Sequence, residues 1–274
     1  MAADSTLIDY HADRRLLAFG KGHPFDRPAF FGLLDRLDGW AWTYAEQPAA
    51  AHLLNPNAAG EYAALLFYDM PGIDFLSPGG PHFLAPPMAM VEGFEALLQS
   101  GRCGLVFLHH AVAAWPSWPR WADVIGARFF YAPARHAGAD YPDSGYRHDV
   151  THRVTPADPE HPVAAGLKAG FDLTDELYLF TVFNDGKTPL MISDHRFRDT
   201  SFFSAAQAVQ GRMYSRAGWR HPPGTNLIAW AKHVGNTPLV YIQSGDGASA
   251  YDNPGFQRLL SNALNWVAAQ RATP

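Results

Sequence analysis

The chain has 274 residues, 47% hydrophobic content and a formal net charge of −5. That is enough to bury a large core as a single domain over residues 1–274, and without a Lys/Arg cluster it removes the electrostatic basis for general nucleic-acid binding. No window approaches the ~20 uninterrupted apolar residues of a membrane helix, Met1 to Tyr10 carries acidic residues rather than a basic region and apolar run, and the one cysteine permits no intramolecular disulfide, so a soluble cytoplasmic protein without a membrane partner is expected.

Arg15 to Phe19 reads as a first strand that breaks at Gly20-Lys21-Gly22-His23-Pro24, where glycine lets the backbone turn sharply. Asp26 fits an N-cap and Pro28 an early helical position for a helix over Arg27 to Leu37, with Phe30, Leu33, Leu34 and Leu37 at helical spacing. Trp40 to Tyr44 and Ala63 to Tyr68 read as the next strands, the second ending at Asp69. Pro71 to Pro87 holds five prolines and three glycines, too punctuated for a regular element. A loop of that length in a compact domain is functional, a lid or disordered. Met88 to Leu98 restores helical spacing through Val91, Phe94, Leu97 and Leu98.

The stretch Gly101 to His110 then organises the chain. Leu105 to Leu108 are four successive apolar residues, the pattern of a central parallel strand buried on both faces. Its C-terminal end delivers His109 and His110 to the edge where open α/β sheets bind ligands. Strands alternating with helical segments predict an α/β fold with a largely parallel, doubly wound sheet.

Beyond it, Ser117 is expected to cap a helix over Trp118 to Ile125 that Gly126 stops. Tyr146 to Thr155 reads as an exposed or edge strand, Asp158 to Pro162 as a loop, and Phe171 to Phe183 as a strand-like run carrying Asp175 and Glu176. Leu190 to Ser193 is a short strand and Phe202 to Val209 a candidate helix. Leu227 to Trp230 and Pro238 to Ile242 are strands, the latter running into Gln243-Ser244-Gly245-Asp246-Gly247, and Phe256 to Ala268 is a closing amphipathic helix.

The order of these pieces resembles a known family. They are Gly20 to His23, Asp69, Gly101-x-x-Gly104-Leu105-Val106-Phe107-Leu108-His109, His161-Pro162, Asp175-Glu176-Leu177-Tyr178, a glycine turn after Tyr241-Ile242, and the helix from Phe256 through Trp266. Over roughly residues 14 to 270 the chain is similar to the ThuA-like (trehalose utilisation) family, a branch of the class I glutamine amidotransferase-like superfamily. The resemblance implies a flavodoxin-like three-layer sandwich and a role in carbohydrate utilisation. It departs from the family pattern at Gly245-Asp246, where the family usually has Gly-His.

Superfamily amidotransfer needs a thiolate at the strand-to-helix turn. That position holds His109, and Cys103, six residues earlier, lies about 20 Å away at ~3.3 Å per strand residue. Glutaminase activity is therefore rejected and Cys103 reads as a packing residue. His109 is the leading catalytic candidate, because an imidazole titrates near neutrality and serves as acid, base or metal ligand. Its bland alternative is a histidine bonded within the sheet edge.

Continued strand geometry sends His110 to the opposite side and lets only one of Asp175 and Glu176 face the cleft, with Glu176 taken as the acid/base partner or orienter. His23 follows a glycine turn at the same sheet edge, and Asp246 lies between two glycines where backbone can approach a substrate. Trp115 offers a platform for sugar C–H faces and His161 a further hydrogen bond, although such residues are more often core or cleft wall and rigid loop corner, respectively. A divalent ion such as zinc on His23, His109, Glu176 and Asp246 suits the donor types. No close-spaced signature supports it, so the ion is an option that the pattern does not favour, and the cofactor is left open.

The leading function is thus acid/base chemistry on a sugar or oxidised sugar, with a small-molecule carbohydrate as partner. A non-catalytic carbohydrate-binding module and a metal-dependent hydrolase are the alternatives.

Overall fold

The computed structural model describes residues 12, 14–184 and 186–272; the Met1 to Tyr10 stretch lies outside them. The strands of the main sheet are β1 Arg15–Gly20, β2 Ala41–Glu46, β3 Ala64–Phe67, β4 Gly104–Leu108, β5 Gly145–Pro156, β6 Phe171–Leu179, β7 Thr188–Ser193, β8 Leu227–Val234 and β9 Thr237–Ile242, with Phe203–Ser204 paired beside β5. Their order across the sheet is β6-β5-β7-β8-β9-β4-β3-β1-β2. From β9 to β2 every pairing is parallel, and this block is the flavodoxin-like centre of an α/β fold. From β9 outward through β8, β7, β5 and β6 the pairings are antiparallel. This wing is an addition to the parallel block that short, mixed-polarity segments did not announce.

Period-two alternation assigns each strand residue to one of two cores. Leu16, Ala18, Val106, Leu108, Val240 and Ile242 face one side, where helices α1 (Arg27–Asp35) and α4 (Pro254–Gln270) bring Phe30, Leu33, Leu34, Phe256, Leu260 and Leu264. Leu17, Phe19, Leu105, Phe107, Leu239 and Tyr241 face the other, against Met90, Phe94 and Leu97 of α2 (Met88–Ser100) and Trp121 and Val124 of α3 (Pro119–Ile125). The result is three layers. The apolar run in β4 is therefore continuous because both of its faces are cores. Among the described residues no helix is long and apolar enough to cross a membrane.

Four local expectations change. The strand expected at Tyr146 to Thr155 as exposed or edge is β5, which lies between β6 and β7. Ser117 does not cap α3: Trp118 stands at the N-cap without a side-chain bond, and Pro119 occupies the first turn, where no N–H is needed. Only Ala205–Val209 of the expected Phe202 to Val209 helix is helical, because Phe203 and Ser204 join the ladder of β5 and Ser204 Oγ then accepts from Gln207 N. Within Pro71 to Pro87, Ile73–Asp74 pairs with His82–Phe83, and Asp74 Oδ1 accepts from the N–H groups of Leu76 and Ser77.

The strand that carries the two histidines is seated by close approach. A Cβ on Gly104 would stand 2.3 Å from Val267 Cβ and 2.7 Å from the Val267 carbonyl carbon, so α4 rests directly on this backbone. Gly104→Ala is expected to destabilise the protein by roughly 1–3 kcal/mol through overpacking, seen as a lower urea midpoint; an unchanged midpoint would show that α4 can shift freely.

Beyond β3, Asp69 is 2% exposed. Gln47 Nε2 donates to its Oδ2 at 2.7 Å, and its Oδ1 has no partner. Burial pushes its pKa up to about 6, against smaller stabilisation of the anion by Gln47. Because the folded value is raised, the contribution to stability is complete below the ordinary carboxylate range and is lost as pH rises through about 6. The loss is on the order of 3 kcal/mol. Urea unfolding from pH 4 to 8 should therefore show a steeper decline for the wild type than for Asp69→Asn, and parallel profiles would contradict this role.

Candidate functional site

The parallel strands β1, β3, β4 and β9 end at one edge, and the residues just beyond them are His23, Tyr68, His109 with His110, and Gln243 to Asp246. The strand conformation stops at Leu108. His109 has φ of +47° and opens a 3-10 turn over His109–Ala113. This sharp change of direction overturns the expectation that His110 points away: both rings turn into the same buried region, 5.5 Å apart.

His109 is fully buried. Its Nδ1 lies 2.6 Å from Gln243 O, which can only accept, so Nδ1 carries a hydrogen. Its Nε2 lies 3.1 Å from Glu176 Oε2 and 3.4 Å from Asp246 Oδ1. Burial opposes a charge on this ring, but the carboxylates of Asp246 and Glu176 outweigh it and hold its pKa well above the ordinary histidine value. Burial alone would raise the Asp246 carboxyl; its bond to His109 reverses that and keeps it below the usual carboxylate range. The pair is an imidazolium against carboxylate, with Tyr178 stacked on the ring at 4.5 Å.

His110 and His23 form a second pair, with ring centroids 4.6 Å apart. His110 Nε2 donates to Tyr68 O at 3.0 Å and His23 Nδ1 to Pro24 O at 2.8 Å. Burial lowers the pKa of both.

The antiparallel wing supplies the rest. Although β6 is the outermost strand of the wing, Tyr178 N donates to Gln243 Oε1 at 2.9 Å. The wing therefore curls until β6 crosses the ends of β4 and β9. Asp175 and Glu176 both reach the site, contrary to the expectation that alternation admits one. Glu176 meets His109, while Asp175 accepts from Gly245 N at 2.6 Å and Asp246 N at 3.1 Å. Burial pushes the Asp175 pKa up to about 7. Gly245 adopts φ of +116°, a conformation open to glycine, and a Cβ there would press on Leu108 and Phe256 at 3.0 Å. The Tyr68 and Tyr251 hydroxyls lie within hydrogen-bond distance of each other and of Asp246 O, so one donates to the other and the second donates to that carbonyl.

A cavity of about 160 Å³ opens above these groups. Glu176, His23 and His148 provide its polar lining, and Phe129, Tyr131, Tyr146 and Tyr178 its aromatic walls. His109 does not line it, whereas Glu176 does. His148 was missed in the sequence. It stands in a β-bulge where the β5/β6 register shifts between Arg147 and Val150 and Asp149 has φ of +54°, and its Nδ1 is 3.4 Å from Glu176 Oε1. The readable signal was Arg147-His148-Asp149, three polar residues that interrupt the alternation.

Two candidates are placed elsewhere. Trp115 is buried and donates its backbone N–H to Pro71 O, bracing the 71–72 turn instead of walling the cavity. His161 caps a short turn through Val163 N and packs its ring near Trp266 of α4. Cys103 is buried before β4, and burial pushes its thiol up to about 12.

A family model described as ThuA, trehalose utilisation, matches residues 69–267. Among solved structures, a ThuA-like protein from Parabacteroides merdae superposes with a TM-score of 0.62 at 17% identity, over 95% of this chain and 91% of that one. A ThuA-like protein from Bacteroides uniformis gives 0.60 at 17% identity, over 93% and 91%. A protein from Salmonella typhimurium described as cytoplasmic gives 0.55 at 11% identity, over 93% and 98%. At these identities the structural matches show the fold. No curated protein matches the sequence.

Asp175→Asn keeps the shape of the side chain but turns an N–H donor toward one of the two backbone N–H groups. It is expected to lower stability by roughly 1–3 kcal/mol in urea unfolding, and an equally stable variant would show that the Gly245–Asp246 turn holds itself.

Proposed function

The chain belongs to the ThuA (trehalose utilisation) family, and from that premise we propose that it is an acid/base enzyme acting on a sugar or oxidised sugar, with Glu176 as the group that meets the substrate. The observation that carries this reading is the Glu176 carboxylate, 5% exposed in its side chain, at the floor of an aromatic-walled cavity with His109 on one oxygen and His148 on the other. Tyrosine and phenylalanine rings suit the C–H faces of a sugar, while the histidines and carboxylate suit its hydroxyls.

In this mechanism Glu176 takes a proton from a sugar hydroxyl, or from carbon beside a carbonyl of an oxidised sugar, and returns it to the product. His109 acts through Glu176 as a positioning residue. Its Nδ1–H is fixed on Gln243 O, so Nε2 is aimed at Glu176 Oε2 and fixes that oxygen, leaving Oε1 toward His148. His148, 39% exposed, connects that oxygen with solvent and is the route by which protons enter and leave. The roles first assigned to His109 and Glu176 are thus exchanged, since a fully buried ring does not touch a substrate. His23 and Asp246 border the reacting region as hydrogen-bonding groups.

Thiolate chemistry has no support at this site: His109 occupies the turn, and Cys103 is buried on the far side of β4. A carbohydrate partner and a cytoplasmic location belong to the same reading, the latter favoured by a single free cysteine.

The test is product formation, followed by NMR, across a panel of mono- and disaccharides and their keto derivatives. Glu176→Gln is expected to lower kcat by about 10²–10⁴-fold, whereas His109→Asn lowers kcat and alters its pH profile. Turnover unaffected by Glu176→Gln would remove the mechanism. Ligand-induced thermal shifts without product over the whole panel would favour the carbohydrate-binding module.

A further inference from the structure

Beside the His109–Glu176 pair, the acid/base reading gives no role to His110, which stands with His23 and Asp246. A backbone carbonyl can only accept, so His110 Nε2 on Tyr68 O and His23 Nδ1 on Pro24 O carry the ring hydrogens. The remaining nitrogens, His110 Nδ1 and His23 Nε2, are then lone pairs. His110 is 1% exposed, and its Nδ1 has no hydrogen-bond partner. Leaving a buried acceptor unsatisfied is costly.

The two rings lie together, and Asp246 brings an anionic oxygen to them: donor atoms of His23, His110 and Asp246 all fall within 4.8 Å of one another. An N–H donated to a backbone carbonyl is also the arrangement that orients metal-binding histidines. We propose that His23 Nε2, His110 Nδ1 and an Asp246 carboxylate oxygen bind one divalent transition-metal ion of the zinc type.

The choice of this trio over its neighbour follows from the hydrogen bonds. His109, Glu176 and Asp246 are also close enough to share an ion, but both nitrogens of His109 are already engaged, by Gln243 O and by Glu176. The lone pair without a partner is on His110. Two imidazole nitrogens and one carboxylate oxygen suit zinc or cobalt. Donors held at about 2.0–2.2 Å from an ion stand ~3–4 Å apart, so a small side-chain adjustment closes the site. Three protein ligands leave a coordination position free, and His23 lines the cavity. An ion there would act as a Lewis acid toward a sugar hydroxyl or carbonyl oxygen.

The assignment rests on ligand geometry and stands apart from the acid/base reading, because its readout is binding and not turnover. The full chain, stripped with a chelator, is titrated with Zn²⁺ by calorimetry and with Co²⁺ by visible absorption. One equivalent of each ion and ligand-field bands from bound Co²⁺ are expected. His23→Ala and His110→Ala should each weaken Zn²⁺ binding by about 100-fold, taking the upper end for loss of support around a site as a floor. Circular dichroism checks that each variant is folded; if His110→Ala is not, His23→Ala, on a half-buried turn, decides. Failure of the wild type to bind Zn²⁺ at millimolar concentration overturns the site. So does undiminished binding by folded His23→Ala, or a Co²⁺ spectrum that His109→Asn abolishes while His23→Ala preserves it.

Discussion

Two backbone N–H groups, those of Gly245 and Asp246, converge on the buried carboxylate of Asp175, and the polar centre of the molecule depends on that grip. Through it the outermost strand of the wing is tied to the turn after β9. The turn in turn presents Gln243 O to His109 and the Asp246 side chain to His109 and His23. A carboxylate surrounded by protein is expensive unless donors reach it, and here the donors are the backbone of the segment that must be positioned. Desolvation still wins, which is why the Asp175 pKa stands near 7 while that of Asp246, facing an imidazolium, falls. Neighbouring aspartates thus take opposite characters from one loop, the first anchoring and the second charged.

What could be read from the amino acids follows from where single-residue patterns are decisive. Leu105 to Leu108 declare a strand with two buried faces, and Phe256, Leu259, Leu260 and Leu264 declare a helix face, because periodicity is a local property. His109 was legible as the first residue beyond a buried strand. Its direction was not, since a φ of +47° in a non-glycine residue is imposed by the surrounding packing and leaves no mark in composition. The same turn brought His110 inward against the rule of alternation.

The wing was harder still. Its strands pair antiparallel at long range, and the β5/β6 register shifts at a bulge from Arg147 to Val150 that no local period announces. His148 therefore entered the site from a segment whose local pattern suggested an exposed or edge strand, and Asp175 joined Glu176 where alternation admitted only one of them. Trp115 and His161 show the converse: attractive residue types near the right motifs, drawn into bracing a turn and capping another. Side-chain chemistry nominates a residue, and backbone direction elects it.

The curl of the wing also bears on the integrity of the sheet. An outermost strand ordinarily presents unpaired backbone groups that can template association with another chain. Here one such group, Tyr178 N, is occupied by Gln243 Oε1, and the adjoining Asp175 holds the 245–246 backbone across it. The contacts that assemble the cavity floor consequently also cover the sheet margin along β6. Loosening them for the sake of a roomier pocket would bare that margin, so the evolvability of this cavity is bounded by self-association as well as by chemistry.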